Sequence, residues 1–270
     1  MSLDYQTETP QADSEIEQED AGYQRATFVF PLYSVILIAS LAAVFLCQIL
    51  ADSQERLIPV LPNSVLLAGF VKQFFAEGQY WRILTGAALH GGLLHLAFNS
   101  YALYVLGKLI ETLSNRAHLA IVFLVSAICG GILSLIFLPN DPSIGASGGV
   151  IGFLGYLTVY GFKRRKLLPD SFLKNMLFNI AFIAFFGIII NMNPSENAPQ
   201  IDNYGHLGGL LAGALYGLVQ IPSDLYKDPR EASSPVRFLG VSALGIFLLT
   251  AVFSALILLG VIGFSFPLLN

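Results

Sequence analysis

A chain of 270 residues that is 55% hydrophobic and only 12% charged holds more apolar matter than a water-soluble domain needs for its core. Its net charge of −4 comes largely from one acidic tail, and it has neither a basic patch interleaved with aromatics nor a phosphate-cradling loop, which argues against nucleic-acid and nucleotide binding. Several uninterrupted apolar runs reach the roughly 20 residues that span a bilayer, so the composition predicts an all-α polytopic membrane protein embedded in the lipid bilayer.

Residues 1–26 carry Asp4, Glu8, Asp13, Glu15, Glu17, Glu19 and Asp20 with little apolar content, the pattern of a disordered acidic tail. No positively charged segment opens it, so the apolar run that follows, about 28–50, reads as a retained first span rather than a cleaved signal peptide. Residues 51–90 form a long connection in which Asp52, Glu55, Arg56, Lys72 and Glu77 alternate with apolar pieces. Its apolar content predicts that it lies partly in the membrane interface, anchored at Tyr80-Trp81-Arg82.

The second span is expected at about 92–112 and holds His95 and Asn99, four residues apart and therefore on one helix face. The third, about 117–138, stops at Pro139-Asn140-Asp141-Pro142. The fourth starts at Ser147 and ends before Lys163-Arg164-Arg165-Lys166, and the fifth covers about 171–192. A polar loop over 193–204 precedes the sixth, which begins near His206 and ends before Pro222. A linker at 222–236 then leads to a seventh span at about 237–264, in a final segment of 237–270. Cys47 and Cys129 both fall inside apolar runs, where they are expected to pack as small hydrophobes.

A cytoplasmic N-terminus puts eleven of the fourteen Lys and Arg residues on the inner side and leaves Arg56, Lys72 and Arg82 outside. The tail and the 222–236 linker are then cytoplasmic, and the C-terminus is outside. In that orientation the second, fourth and sixth spans all run inward from the outer face. His95, Asn99, Ser147 and His206 sit near their outer ends at similar depth. Spans four and six come to about 24 Å each, against a hydrocarbon core of about 30 Å. Anchored at their inner ends, they place Ser147 and His206 below the outer surface, where isolated polar groups are costly and paired ones are not. Gly205, Gly209, Gly213 and Gly217 recur at spacing four, and Gly148, Gly152 and Gly155 line the facing helix, a pattern that allows close backbone approach.

A serine flanked by glycines at Gly145-Ala146-Ser147-Gly148-Gly149 suits a nucleophile, because small neighbours admit a substrate carbonyl and a helix N-terminus favours developing negative charge. The ordered set Trp81-Arg82, His90, His95-Leu96-Ala97-Phe98-Asn99, Gly145-Ala146-Ser147-Gly148 and Gly205-His206-Leu207-Gly208-Gly209 with Gly213 resembles the rhomboid intramembrane serine proteases over about residues 30–220. The resemblance implies a six-helix core, here 27–221, with the last span an appended seventh helix (6+1). It implies Ser147 as nucleophile, His206 as general base, and His95 and Asn99 with the Ser147 N–H as an oxyanion hole. It further implies transmembrane protein substrates, a small residue before the scissile bond, and no cofactor or metal.

His90 is expected to be structural or water-organising, since its spacing from His95 does not match the two-histidine helical zinc motif. Asp202, four residues before His206, is expected to be solvated, leaving a Ser–His dyad whose activity largely survives Asp202→Ala. Many family members carry an aromatic ring four positions after the nucleophile, stacked on the histidine. Here Ile151 stands there, so aliphatic packing, Phe153 or Tyr156 is left to orient His206. Two other classes fit parts of the pattern: a small-solute channel or transporter, and a catalytically inactive client-binding relative. A bacterial cytoplasmic membrane is the expected location.

Overall fold

The computed structural model describes residues 29–192 and 200–264. The acidic tail, most of the 193–204 loop and the last six residues of the chain lie outside the described residues. The chain groups into a short N-terminal unit ending at Phe30 and a compact unit, Pro31–Asn270, which is the subject below.

Among the described residues ten α-helices follow in order: α1 Leu32–Asp52, α2 Asn63–Ala68, α3 Lys72–Ala76, α4 Arg82–Ala88, α5 Leu93–Leu113, α6 Arg116–Phe137, α7 Ser147–Lys163, α8 Asp170–Met192, α9 Asn203–Gln220 and α10 Ser234–Leu258. Among the described residues the only β-type pairing is an isolated antiparallel bridge, Phe70 with Ser143. Helices α1, α5, α6, α8 and α10 are long and apolar enough to cross a membrane. Large apolar side chains such as Phe178, Phe182, Leu215, Val219 and Leu249 point outward from their helices, as a lipid-facing surface requires. The chain is a multi-pass integral membrane protein.

The two short helices occupy the centre. α7 has 17 residues and α9 has 18, and eleven residues of α7 are buried. Their glycines face one another so closely that a Cβ on Gly209 would lie 2.0 Å from the Gly148 carbonyl oxygen, and one on Gly213 would lie 1.9 Å from that of Gly152. α6 closes the same seam: a Cβ on Gly208 would meet the Cys129 carbonyl at 2.6 Å, and one on Gly130 the Gly205 carbonyl at 2.6 Å. Any side chain at these positions forces the backbones apart, so the glycine stripes set the helix spacing.

α9 begins three residues earlier than the sequence suggests, because Asp202 caps it: the carboxylate accepts from the Gly205 N–H at 2.7 Å. His206 therefore sits in the first full turn, not at the tip. α10 likewise starts earlier and ends earlier than expected, stopping at Leu258. It packs on α6, where a Cβ on Gly240 would lie 2.4 Å from the Ala117 Cα, and Phe247 meets Phe123 edge-on at 4.9 Å.

The connection between α1 and α5 is ordered by buried polar anchors rather than by periodicity. Arg82 is fully buried and donates to Gln79 Oε1 at 2.7 Å, to the Gly69 carbonyl at 2.8 Å and to the Leu66 carbonyl at 3.0 Å. Its guanidinium lies 4.7 Å from the rings of both Phe74 and Trp81. Trp81 in turn packs against Phe253 in α10 and Phe264 beyond its end. At the opposite end of the bundle Glu111 accepts from the Ser34 N–H at 2.9 Å and the Ser34 hydroxyl at 2.8 Å, satisfying an orphan donor at the start of α1.

Candidate active site

The site is assembled where α7 and α9 begin. Gly145 adopts a φ of +127°, and its N–H donates to the Gly86 carbonyl at 2.9 Å. A Cβ there would also lie 2.8 Å from His95 Cε1, so both backbone and space require glycine. Together with the Phe70–Ser143 bridge, this bond ties the α6–α7 loop to the α3–α4 region and fixes where α7 starts. Ser147 is the first residue of α7, so its N–H is one of the helix's unpaired donors.

The structure brings Ser147 and His206 together: Oγ and Nε2 are 2.9 Å apart. They border a cavity of about 50 Å³ whose walls include Gly145, Ser143, Asp202 and Gly205, and which is large enough for a water molecule. The His206 Nδ1 atom is buried and has no hydrogen-bond partner among the described residues.

His95 stands beside this pair. Its Nδ1 accepts from the Gly91 N–H at 3.3 Å, which leaves the proton on Nε2, on the side facing Gly145. Asn99 is buried, and one of its two amide N–H groups donates to the His95 carbonyl one turn back on the same helix, at 3.1 Å. That bond satisfies an amide N–H that would otherwise be stranded in the membrane. His90 is buried, its ring 5.1 Å from that of His95. Its backbone is clamped on both sides by the Gln48 amide, at 2.9 and 3.1 Å.

The two rings considered for orienting His206 are engaged elsewhere. Phe153 packs against Phe123, and the Tyr156 hydroxyl bonds Ser114 at 2.7 Å while its ring stacks on His118. Ile151 is buried, and among the described residues no aromatic ring stacks on His206. Gly205 and Gly209 instead bring α9 close to α6 and α7 on either side of the histidine.

Asp202 corrects a sequence expectation. It is half-buried, not solvated, and besides capping α9 it accepts from the Ser143 hydroxyl at 2.7 Å. Ser143 also receives the Lys72 ammonium at 2.7 Å and lies 2.9 Å from the Ser134 hydroxyl. Lys72, read from sequence as an external loop charge, is 2% exposed. Burial pulls its ammonium below the usual lysine range, opposed by the carboxylates of Asp202 and Asp141.

With this arrangement in view, the rhomboid domain model matches residues 77–223, more than half of the chain. The chain belongs to the rhomboid family. It is 40% identical over 138 residues to the Rhomboid protease GluP of Bacillus subtilis (strain 168), a match covering 51% of this chain and 25% of that protein. It is 30% identical over 169 residues to RHOMBOID-like protein 6, mitochondrial, of Arabidopsis thaliana, covering 60% of this chain and 51% of the relative. RHOMBOID-like protein 4 of the same plant is 31% identical over 168 residues, covering 61% and 40%. The chain thus spans about half or less of these relatives' lengths. The matched rhomboid region takes in α4 to α9, with Ser147, His206, His95, Asn99, Asp202 and Ser143, while Lys72 and α10 lie beyond it.

Asp202, which the sequence reasoning placed in a solvated loop, carried a readable signal as a cap, since aspartate just before an apolar helix is favoured there. Ser143 and Lys72 carried none. They reach Asp202 only through contacts 59 and, via Ser143, 71 residues apart in the chain.

Proposed function

We propose that this rhomboid is an intramembrane serine endopeptidase that cleaves membrane-protein substrates in or beside a transmembrane segment. The observation that carries the reading is the 2.9 Å contact between Ser147 Oγ and His206 Nε2 at the N-terminal ends of two short helices. His206 Nε2 takes the hydroxyl proton as Oγ attacks the scissile carbonyl, and then returns it to the leaving amine. The Ser147 N–H and His95 Nε2–H are the donors best placed for the oxyanion. Asn99 keeps one amide N–H on the His95 carbonyl and has a second that can join them. Water then hydrolyses the acyl-enzyme. In our reading the site opens to the outer face, with a cytoplasmic N-terminus, in a bacterial cytoplasmic membrane. The six-helix core at 27–221 supplies the chemistry, and the outermost helix, α8, is the candidate side entrance. It buries only Met176 and Gly187 and is pinned near its end by Asn191 to the backbone of Ile201.

The test is cleavage of a single-span reporter protein co-reconstituted with the purified chain in liposomes. Two defined fragments are expected, with none from Ser147→Ala or His206→Ala. Intact reporter with the wild-type chain, or equal cleavage by the variants, refutes the proposal. Cross-linking α8 to α5 is expected to stop cleavage of the reporter if α8 is the entrance.

A further inference from the structure

We propose that Asp202 is a positioning residue for His206, holding a carboxylate behind the base that stabilises its protonated form, and that Lys72 sets the strength of that effect through Ser143. The inference rests on the protease reading above and names a further residue of the same site.

The contacts around Ser143 accommodate an ammonium on Lys72 and a carboxylate on Asp202. Ser143 has one hydroxyl proton and two lone pairs. Lys72 can only donate to it, at 2.7 Å, and the Asp202 carboxylate can only accept from it, at 2.7 Å. The Ser134 hydroxyl, 2.9 Å away, must then donate into the second lone pair. Every position on Ser143 is filled when Lys72 donates to it and Asp202 accepts as a carboxylate. The other carboxylate oxygen accepts from the Gly205 N–H at 2.7 Å, and the His206 N–H donates to the Asp202 carbonyl at 3.0 Å. The charge is therefore built into the turn that carries the base. Gly205 makes the room for it, since a Cβ there would lie 2.9 Å from the Asp202 carboxyl carbon.

Asp202 and His206 border the same cavity, and no direct bond joins the carboxylate to the imidazole, whose Nδ1 has no hydrogen-bond partner among the described residues. The influence is therefore that of a fixed negative charge in a region poor in water, where such fields are strong. It grows in importance when the serine proton arrives and the ring becomes an imidazolium. The charged and titratable groups facing the base are Asp202 on its own helix and His95 on α5. Those facing Asp202 from the adjoining elements are Lys72 on α3 and, beyond it, Asp141 in the α6–α7 loop. Lys72 opposes Asp202 in sign, so the two must act on His206 in opposite directions.

The experiment measures the second-order rate of inactivation by a fluorophosphonate against pH, using the full chain in detergent micelles. Asp202→Asn is expected to lower the rate at neutral pH about tenfold and to move the apparent pKa of the acidic limb down by about one unit. Lys72→Met is expected to move that limb upward. Ser143→Ala, which keeps both charges but frees the carboxylate, shifts it downward by less than Asp202→Asn. Limbs that superimpose on wild type, or equal losses at all pH values with no opposite shifts, overturn the proposal and leave the network a merely structural one. If Asp202→Asn does not fold, as judged by thermal unfolding, the opposed shifts of Ser143→Ala and Lys72→Met decide the matter. A wild-type chain that the probe does not label at any pH sinks the protease reading itself, and this inference with it.

Discussion

Replacing Gly209 by alanine is the sharpest perturbation of the scaffold that makes the site. The added methyl would sit 2.0 Å from the Gly148 carbonyl oxygen, 2.8 Å from its carbon and 3.1 Å from its Cα, where ordinary contact begins at 3.4 Å. The obstruction is backbone, which cannot rotate out of the way, so α7 and α9 must separate by about 1 Å or more. Overpacking of this kind costs about 1–3 kcal/mol of stability. His206 lies almost one turn from Gly209 and Ser147 is next to Gly148, so the same movement stretches the 2.9 Å contact beyond hydrogen-bond reach. A misplacement of about 1 Å in a catalytic group costs on the order of 10²-fold in rate. Gly245 on α10 is the matched control: nothing lies within 4 Å of a Cβ there, so alanine should raise helix stability by roughly 0.5–1 kcal/mol and leave the rate alone. Thermal unfolding in detergent and reporter cleavage, run on both variants, provide the assay. A Gly209→Ala protein with wild-type stability and wild-type cleavage would refute the view that the glycine seam sets the Ser147–His206 distance.

Other outcomes follow from single contacts. His95→Ala should lower kcat by about 10²–10³-fold with little change in melting temperature, as loss of one oxyanion donor does; equal kcat would remove His95 from the chemistry. Asn99→Ala should cost activity less than His95→Ala, because one of its two amide N–H groups is already held by the His95 carbonyl, and parallel kcat measurements rank the two. Arg82→Ala strands the Leu66 and Gly69 carbonyls and should destabilise the fold by about 1–3 kcal/mol per stranded group, read by thermal unfolding, with Arg82→Lys only partly restoring it. Ser114→Ala leaves the buried Tyr156 hydroxyl without its partner and should lower stability by about 1–3 kcal/mol while the inactivation rate of folded protein stays unchanged.

The helical architecture was legible because apolar runs and their polar interruptions mark spans directly, and the shortness of α7 and α9 followed from where the serine and histidine sit. The pairing of Ser147 with His206 was legible for a related reason: two glycine stripes at helical spacing have few purposes other than close approach. What escaped the sequence was held by long-range polar contacts. The three short helices between α1 and α5 take their order from Arg82 and Lys72, whose carbonyl and hydroxyl partners no pattern announces. Helical spacing puts Asn99 on the His95 face but does not say that one of its amide N–H groups turns back to its own helix. Asp202 was misread because the loop around it is polar, although its partner Ser143 lies on another loop and draws it inward.

The most direct measurement is intact-protein mass after exposure of the folded chain to a fluorophosphonate, with the modified residue mapped by peptide sequencing. A single adduct on Ser147, absent from Ser147→Ala and at least a hundredfold slower to form in His206→Ala, is the predicted result, the threshold being the order of magnitude for loss of a general base. A folded wild-type chain with no adduct, or an adduct that persists in Ser147→Ala, contradicts the account.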